Sequence, residues 1–465
     1  MDQILYKKAL DFASFAHTGQ KRLSGEPYIT HPVTVAKTLQ KWGLDDTAIV
    51  AGLLHDTVEE GGAKRGDIIK EFGEEMAMLV DSVTVVSHIH LTGSKSEEFI
   101  ENSRKMFLVM ARDLRVVLIK LADRLHNMQT LQYLTPDRQL RTAEETLEIL
   151  APLAERLGMG EVKGQLEDLA FPFLYPKEQQ KLEKDSRSLY KSAEKYIENC
   201  KSEFLQLLLS KHVAAKINVR RKHLYSLWRK LQRPEIDGDL NKIHDLFAAR
   251  ILVSTVEDCY LALGAIHGAW HPVPYLGMSD FIANPKPNGY QALHTTVFCE
   301  RQVVEFQIKT DQMDKEAELG ISAQARWHYG ERGGMQKIDQ RLAWVKDLPK
   351  LAHFEQNNEA YLQSLKIDAL QSRIFVFTPH GDVIELPEAA TPIDFAYHLH
   401  TQIGNSCTGA KINDVLVPLS TALMSSDVVE IIMDKNRTMP SPAWLRFVKT
   451  QTARVKIKHT LKSRG

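Results

Sequence analysis

Apolar side chains recur at helical spacing through the first part of the chain, and an alternating, strand-like rhythm takes over further on. In the run from Arg115 to Leu125, Val117, Leu121 and Leu125 form an i, i+4 stripe that continues to Met128. Lys120, Asp123 and Asn127 share another side of that helix, so three polar groups converge on one cleft. Pro172 and Pro176 punctuate the end of this region, and a charged helical stretch runs from Lys177 to about Lys211. Leu246 to Val253 reads as a strand, and Thr295–Cys299 with Val303–Thr310 as a hairpin across Glu300-Arg301-Gln302. In its second arm Val304, Phe306 and Ile308 alternate with Glu305, Gln307 and Lys309. Period two puts the apolar set on one face and a carboxylate, an amide and an ammonium on the other. A mixed, mostly helical connector covers about 331–370. Arg373–Leu386 then reads as a hairpin turning at His380-Gly381-Asp382, Thr391-Pro392 opens a helix, and short strands continue to about Met433. The tail from Pro440 is basic and helical in pattern. No internal repeat, low-complexity tract or Walker-type glycine loop is present.

Composition narrows the class. The 465 residues suffice for about three domains. The 59 basic residues cancel the 59 acidic ones, which excludes a global field drawing the chain to nucleic acid or an anionic membrane. Four scattered cysteines argue against a disulfide scaffold. Without a signal-peptide core or a membrane-length apolar run, the expected location is the cytoplasm, with no membrane partner.

The chemistry concentrates at His55-Asp56, adjacent in an otherwise apolar helical stretch where packing does not explain them. His31, in Tyr28-Ile29-Thr30-His31-Pro32, and Asp123 complete a set of two histidines and two aspartates without a thiolate. Such donors suit Mn²⁺, Fe²⁺ or Zn²⁺ in a hydrolytic site better than a structural zinc. His17, His88 and His90 read as ordinary surface histidines. Taken alone, Glu305 reads as an exposed strand position beside a lysine.

Three blocks resemble the long RelA/SpoT homologues, which make and degrade the alarmone (p)ppGpp. Arg22-Leu23-Ser24-Gly25-Glu26-Pro27-Tyr28-Ile29-Thr30-His31-Pro32, Leu53–Glu60 and Lys120–Met128 resemble the family's HD-type hydrolase domain. Arg220–Ser226, His244-Asp245-Leu246, Asn284–Thr296 and Val304–Thr310 resemble its pyrophosphokinase domain. Asp394–Thr401 with Gly409–Asn413 resembles its TGS domain. The implied architecture is an all-α HD-type hydrolase domain (1–175), then an α+β nucleotidyltransferase-like pyrophosphokinase domain with a helical lead-in (176–335). A helical connector (336–370), a β-grasp TGS domain (371–435) and the truncated start of a helical domain (436–465) follow.

For the first domain, the resemblance implies one Mn²⁺ held by His31, His55, Asp56 and Asp123, with Glu59 and Glu60 orienting water or relaying a proton. Arg22 would stack on guanine, and Ser24, Asn127 and Thr130 would shape the nucleotide pocket, releasing GDP or GTP and pyrophosphate from ppGpp or pppGpp. For the second, it implies pyrophosphate transfer from ATP to the 3′-hydroxyl of GDP or GTP with Mg²⁺. There Asp245 is a metal ligand and Glu305 the base or second ligand. Arg220, Lys222 and Ser226 grip ATP, and Tyr290, ahead of Gln291 and His294, stacks on the acceptor guanine. Two stretches depart from the family pattern. Gly277-Met278-Ser279-Asp280 is neither the Arg-x-Lys-Asp that bifunctional members carry before the Tyr-Ile segment nor the acidic version of synthetase-only members, and Ala323-Gln324-Ala325-Arg326-Trp327 carries extra residues. These departures imply weakened synthesis, or a hydrolase whose degenerate second domain is regulatory. In the TGS domain, His400 would meet the end of an uncharged tRNA on the ribosome.

Overall fold

Three aspartates start helices in the first part of the chain by capping their free N–H groups. Asp2 accepts from Ile4 and Leu5, Asp45 from Ala48, and Asp113 from Arg115. The computed structural model describes residues 2–87, 109, 113–233, 236–243, 245–274, 278–286, 288–299, 302–324, 373–424, 427–434 and 436–462. They belong to two units, 1–346 and 347–465. The sequence-based connector over 336–370 lies outside the described residues.

The first unit begins with α1 (Gln3–Ala16), α2 (Thr30–Lys41), α3 (Asp46–Leu54), α4 (Arg65–Phe72) and α5 (Glu74–Ser87). After these come α6 (Leu114–Gln129), α7 (Pro136–Glu145), α8 (Ala151–Arg156) and α9 (Gly160–Leu174). The stripe read from Val117, Leu121, Leu125 and Met128 is only part of the buried surface of α6. Val116, Leu118, Ile119 and Ala122 are buried too, because α2, α3, α5 and α9 surround it. Its buried cations are paired, Arg115 with Asp113 at 2.7 Å and Arg124 with Glu145 at 3.0 Å, as burial of charge requires.

Pro172 lies inside α9 near its end, and Pro176 takes the first position of α10 (Pro176–Ser210), where its missing N–H costs nothing. Leu182, Ser186, Tyr190, Ala193, Ile197, Phe204 and Leu208 form the buried stripe of that 35-residue helix. Next come β1 (Lys216–Arg221), α11 (Leu224–Leu231), β2 (Phe247–Val253), α12 (Val256–Ala269), β3 (Met278–Asp280), β4 (Leu293–Cys299), β5 (Gln302–Thr310) and α13 (Asp311–Leu319). The sheet order is β1-β2-β5-β4-β3, with only β2 and β5 parallel. Val304, Phe306 and Ile308 are fully buried beneath α10 and α12, as alternation predicts.

In the second unit β6 (Arg373–Phe377) and β7 (Val383–Pro387) form a hairpin whose turn uses Gly381 at φ 89°. Helices α14 (Pro392–Leu399) and α15 (Thr401–Ser406) follow, then β8 (Cys407–Ile412), β9 (Val415–Val417) and β10 (Val429–Met433). A parallel bridge from Phe377 to Val428 joins the hairpin to β10-β8-β9, giving the order β7-β6-β10-β8-β9 of a β-grasp sheet. The basic tail is not a separate appendage. Its α16 (Gln451–Lys462) shares a core with α14 through Ile393, Tyr397, Trp444, Val448 and Ile457. Asp394, fully buried, accepts hydrogen bonds from the backbone N–H of Thr391, Lys449 and Thr450 and from both threonine hydroxyls. A carboxylate so thoroughly satisfied ties the tail to α14.

Candidate active sites

Three helices bring the first site together. His31 sits in the first turn of α2, Asp123 on α6, and His55-Asp56 immediately after α3. The sequence reading placed the His-Asp pair within the helix. It lies instead just past its end, where the chain turns and hydrogen bonds return from Glu60 and Gly61 to the Asp56 carbonyl. His31 Nε2 is 3.2 Å from Asp123 Oδ1 and 3.5 Å from Asp56 Oδ2. His55 Nε2 is 3.1 Å from Asp56 Oδ1 and 3.9 Å from Asp123 Oδ1.

The donor chemistry fits a divalent cation. His55 Nδ1 donates to the Gly52 carbonyl at 2.9 Å, which leaves its buried Nε2 as a bare lone pair with no hydrogen-bond partner among the described residues. His31, His55 and Asp123 present ligand atoms within 4.8 Å of one another. Burial lowers the His31 pKa and so favours the neutral, ligating imidazole. Burial alone would raise the Asp123 carboxyl, but the Lys120 ammonium at 2.8 Å holds it well below the carboxylate range. Tyr28 donates to Asp56 Oδ2 at 2.9 Å, and Asn127 donates to Asp123 Oδ1.

Beside these side chains opens a cavity of about 490 Å³, lined by Glu59, Glu60, Arg22, Ser24, Asn127 and Thr130. Lys21, Lys120, Arg124 and Arg138 add positive charge to its wall. The Ser24 hydroxyl is buried there without a partner among the described residues, a deficit of about 1–3 kcal/mol that a polar ligand can relieve. Arg22 does not reach into open space. It donates to Asn127 Oδ1 at 3.0 Å, to Thr130 Oγ1 at 3.0 Å and to His126 Nδ1 at 3.1 Å. Sequence reasoning gave His126 and Tyr28 no role, although each lies within three residues of a candidate ligand. The surface reading of His17 fails: it is 3% exposed and stacks on Tyr28 at 4.6 Å, supporting the residue that holds Asp56. His88 and His90 lie outside the described residues.

The second site is the polar face of the five-stranded sheet. Strand register lines up Arg220, Ala248, Glu305 and Thr296 in one row, and Asn218, Arg250, Gln307, His294 and Ser279 in the next. Glu305 is not an exposed position beside a lysine. It is largely buried, 3.2 Å from His294 Nδ1 and 3.0 Å from Gln307 Nε2. Burial would raise its carboxyl, but His294 outweighs burial and the value falls. Because Glu305 accepts at Nδ1, His294 Nε2 accepts from the Tyr290 hydroxyl at 2.8 Å, giving a Tyr290–His294–Glu305 relay.

Asp245 is clamped by Lys222 at 2.6 Å and Lys230 at 2.8 Å; despite burial, the two ammonium groups bring its pKa to about 2. Ser226 donates to Glu167 on α9, and Gln291 to the Ile282 carbonyl, so neither hydroxyl nor amide stands free. A cavity of about 1010 Å³ is lined by Arg220, Lys222 and Arg250, with Arg187 and Lys191 from α10. Arg250 escaped sequence reasoning, although a lone charge inside the apolar strand Phe247–Val253 was the available signal. It is held by Asp314 at 3.0 Å and Glu318 at 2.8 Å on α13. In the departing stretch, Asp280 accepts from Ile282, Ala283 and Tyr260, so its carboxylate is committed to the local turn. His244, Gly277 and Ala325–Trp327 lie outside the described residues.

A further contact ties this segment to α9. His223, next to Lys222, lies over Gly164, where a Cβ would come within 2.1 Å of the ring. Its Nδ1 is 2.7 Å from Asp168 and its Nε2 3.5 Å from Glu161. Burial lowers the imidazole pKa, but the two carboxylates outweigh it and raise the value to about 9 from the ordinary 6.5. A raised folded pKa contributes fully below about pH 6.5 and is lost as pH rises through about 9. The loss of melting temperature in His223→Gln, followed by calorimetry, is therefore expected to be largest near pH 6 and to shrink above pH 9. A pH-independent difference would refute the charged contact.

In the second unit His400 is exposed at the start of α15, its Nδ1 accepting from Gln402 N at 3.3 Å.

Known proteins match this arrangement in order. Residues 9–160 match the HD domain model, 219–333 the region found in RelA/SpoT proteins, and 374–433 the TGS domain. A GTP pyrophosphokinase of Myxococcus xanthus is 43% identical, aligned over 99% of this chain and 61% of its own length. A guanosine-3′,5′-bis(diphosphate) 3′-pyrophosphohydrolase of Aquifex aeolicus is 43% identical over 98% of this chain and 64% of its own. The chain belongs to the RelA/SpoT homologue family. The bifunctional (p)ppGpp synthase/hydrolase SpoT of Escherichia coli is 41% identical, with 98% and 64% covered. This RelA/SpoT homologue thus spans less than two thirds of the length of these curated relatives. Among its described residues, no helix is long and apolar enough to cross a membrane.

Proposed function

We propose that the chain is a bifunctional alarmone enzyme of the cytoplasm. Its first domain (1–175) hydrolyses (p)ppGpp to GDP or GTP and pyrophosphate. Its second (176–335) transfers pyrophosphate from ATP to the 3′-hydroxyl of GDP or GTP. The observation that carries the reading is the bare, buried His55 Nε2 facing two aspartates and His31 beside a cation-lined cavity. His31, His55, Asp56 and Asp123 would hold Mn²⁺, which when bound lowers the pKa of a water toward neutrality. Lys120 keeps Asp123 ionised, and Tyr28 orients Asp56. Glu59 and Glu60, at the cavity wall, accept the proton that leaves the attacking water. The surrounding lysines and arginines offset the charge of the departing pyrophosphate.

For synthesis, Glu305 takes the proton of the acceptor hydroxyl, held in position by His294 and Gln307. Arg220 and Lys222 bind ATP phosphates, and Asp245 would hold Mg²⁺, which when bound neutralises phosphate charge. Tyr290 offers its ring to the acceptor guanine. The β-grasp unit carries no chemistry in this reading, and His400 is exposed for contact with uncharged tRNA on the ribosome. Incubation with ATP and GDP, and separately with ppGpp and Mn²⁺, followed by nucleotide chromatography, tests both halves. Formation of ppGpp in the first and its disappearance in the second are expected. Failure of either removes that activity from the proposal.

A further inference from the structure

The bonds of Arg22 have a consequence beyond nucleotide binding. A guanidinium can only donate, so His126 Nδ1, 3.1 Å from it, is an acceptor. The same His126 nitrogen lies 2.7 Å from His31 Nδ1. Two acceptors cannot bond each other, so His31 Nδ1 carries the hydrogen and donates. The other His31 nitrogen, Nε2, is then the bare one, and it faces Asp56 and Asp123.

The ring geometry agrees. The two imidazole planes differ by 18° and their centroids are 5.0 Å apart. With the nitrogens at 2.7 Å, the rings lie edge to edge in nearly one plane, as an in-plane N–H···N bond requires. His55 reaches the same state through the Gly52 carbonyl, which is fixed by the helix. His31 instead depends on a side chain, and that side chain depends on Arg22.

We infer that His126 is a positioning residue that sets the ligating tautomer of His31, with Arg22 enforcing it from the nucleotide pocket. This rests on the metal-site reading above. One lone pair on His126 serves two donors.

Calorimetric titration of the metal-free protein with Mn²⁺, without nucleotide, separates this from alternatives. His126→Phe keeps the ring but removes the acceptor, and is expected to weaken Mn²⁺ binding by about 10- to 100-fold. His126→Asn, whose Oδ1 replaces the Nδ1 acceptor, is expected to recover most of that loss. Arg22→Gln supplies an opposite-sign test. Deleting a cation near a dication should tighten binding by electrostatics alone, whereas loss of the enforced tautomer weakens it. Equal binding by wild type and His126→Phe, or tighter binding by Arg22→Gln, overturns the inference while leaving the metal site standing. No Mn²⁺ binding by the wild type overturns the metal reading itself. With Mn²⁺ saturating, His126→Phe should lose kcat rather than raise KM for ppGpp.

Discussion

His55→Ala is expected to cut ppGpp hydrolysis by at least about a thousandfold while leaving synthesis within about twofold. The size follows from what a bound cation contributes, several kcal/mol of charge stabilisation plus a neutral-pH nucleophile, at one decade per 1.36 kcal/mol. His55 is the cleanest of the four ligands to remove. Among the described residues its Nε2 has no hydrogen-bond partner to orphan, and its Nδ1 is anchored on the Gly52 carbonyl. Asp123→Ala would be a poorer probe, because it takes from the buried Lys120 ammonium a carboxylate at 2.8 Å. Breaking such a pair costs about 3–5 kcal/mol, enough to confuse a lost ligand with a lost fold. Parallel measurements of both reactions and of the melting temperature check the expectation. Hydrolysis within tenfold of wild type, at saturating Mn²⁺ in a folded variant, would exclude His55 as a ligand.

The sequence made this site legible because its ligands are unusual for their surroundings. Two adjacent polar residues in Ala51-Gly52-Leu53-Leu54-His55-Asp56 need a reason, and Lys120, Asp123 and Asn127 share a helix face by simple periodicity. Period two likewise foretold which face of β5 carries Glu305, since register is fixed wherever one face is buried. Partnerships across distant segments stayed hidden. His126 is one more polar residue on α6 until α2 and the Arg22 loop fold against it, and only then does its nitrogen meet His31. His17 looked like a surface residue because nothing local reveals that Tyr28 will cover its ring. Glu305 looked like half of a surface pair, whereas the neighbouring strand supplies His294. The tail's docking was equally hidden, being decided by Asp394, more than fifty positions away from Lys449 and Thr450. Local pattern thus gave elements and faces, while tertiary packing chose the partners.

Glu305→Gln is expected to lower synthesis of ppGpp by about 10²–10⁴-fold, the range for loss of a general base, with hydrolysis unchanged. The substitution is nearly isosteric. The amide oxygen can still accept from His294 Nδ1, so the Tyr290–His294 contact survives. What vanishes is the negative charge and the ability to take a proton. Because the partners stay bonded, a purely structural Glu305 would show little loss, and a base would show a large one in kcat with KM for GDP nearly constant. Asp245→Asn provides the contrast. It releases two lysines from a carboxylate whose pKa is about 2, so its effect should fall on KM for ATP and on the Mg²⁺ requirement. If Glu305→Gln kept synthesis within tenfold while Asp245→Asn abolished it, proton removal would not be the task of Glu305. The relay through His294 would then serve to hold Tyr290 rather than to move a proton.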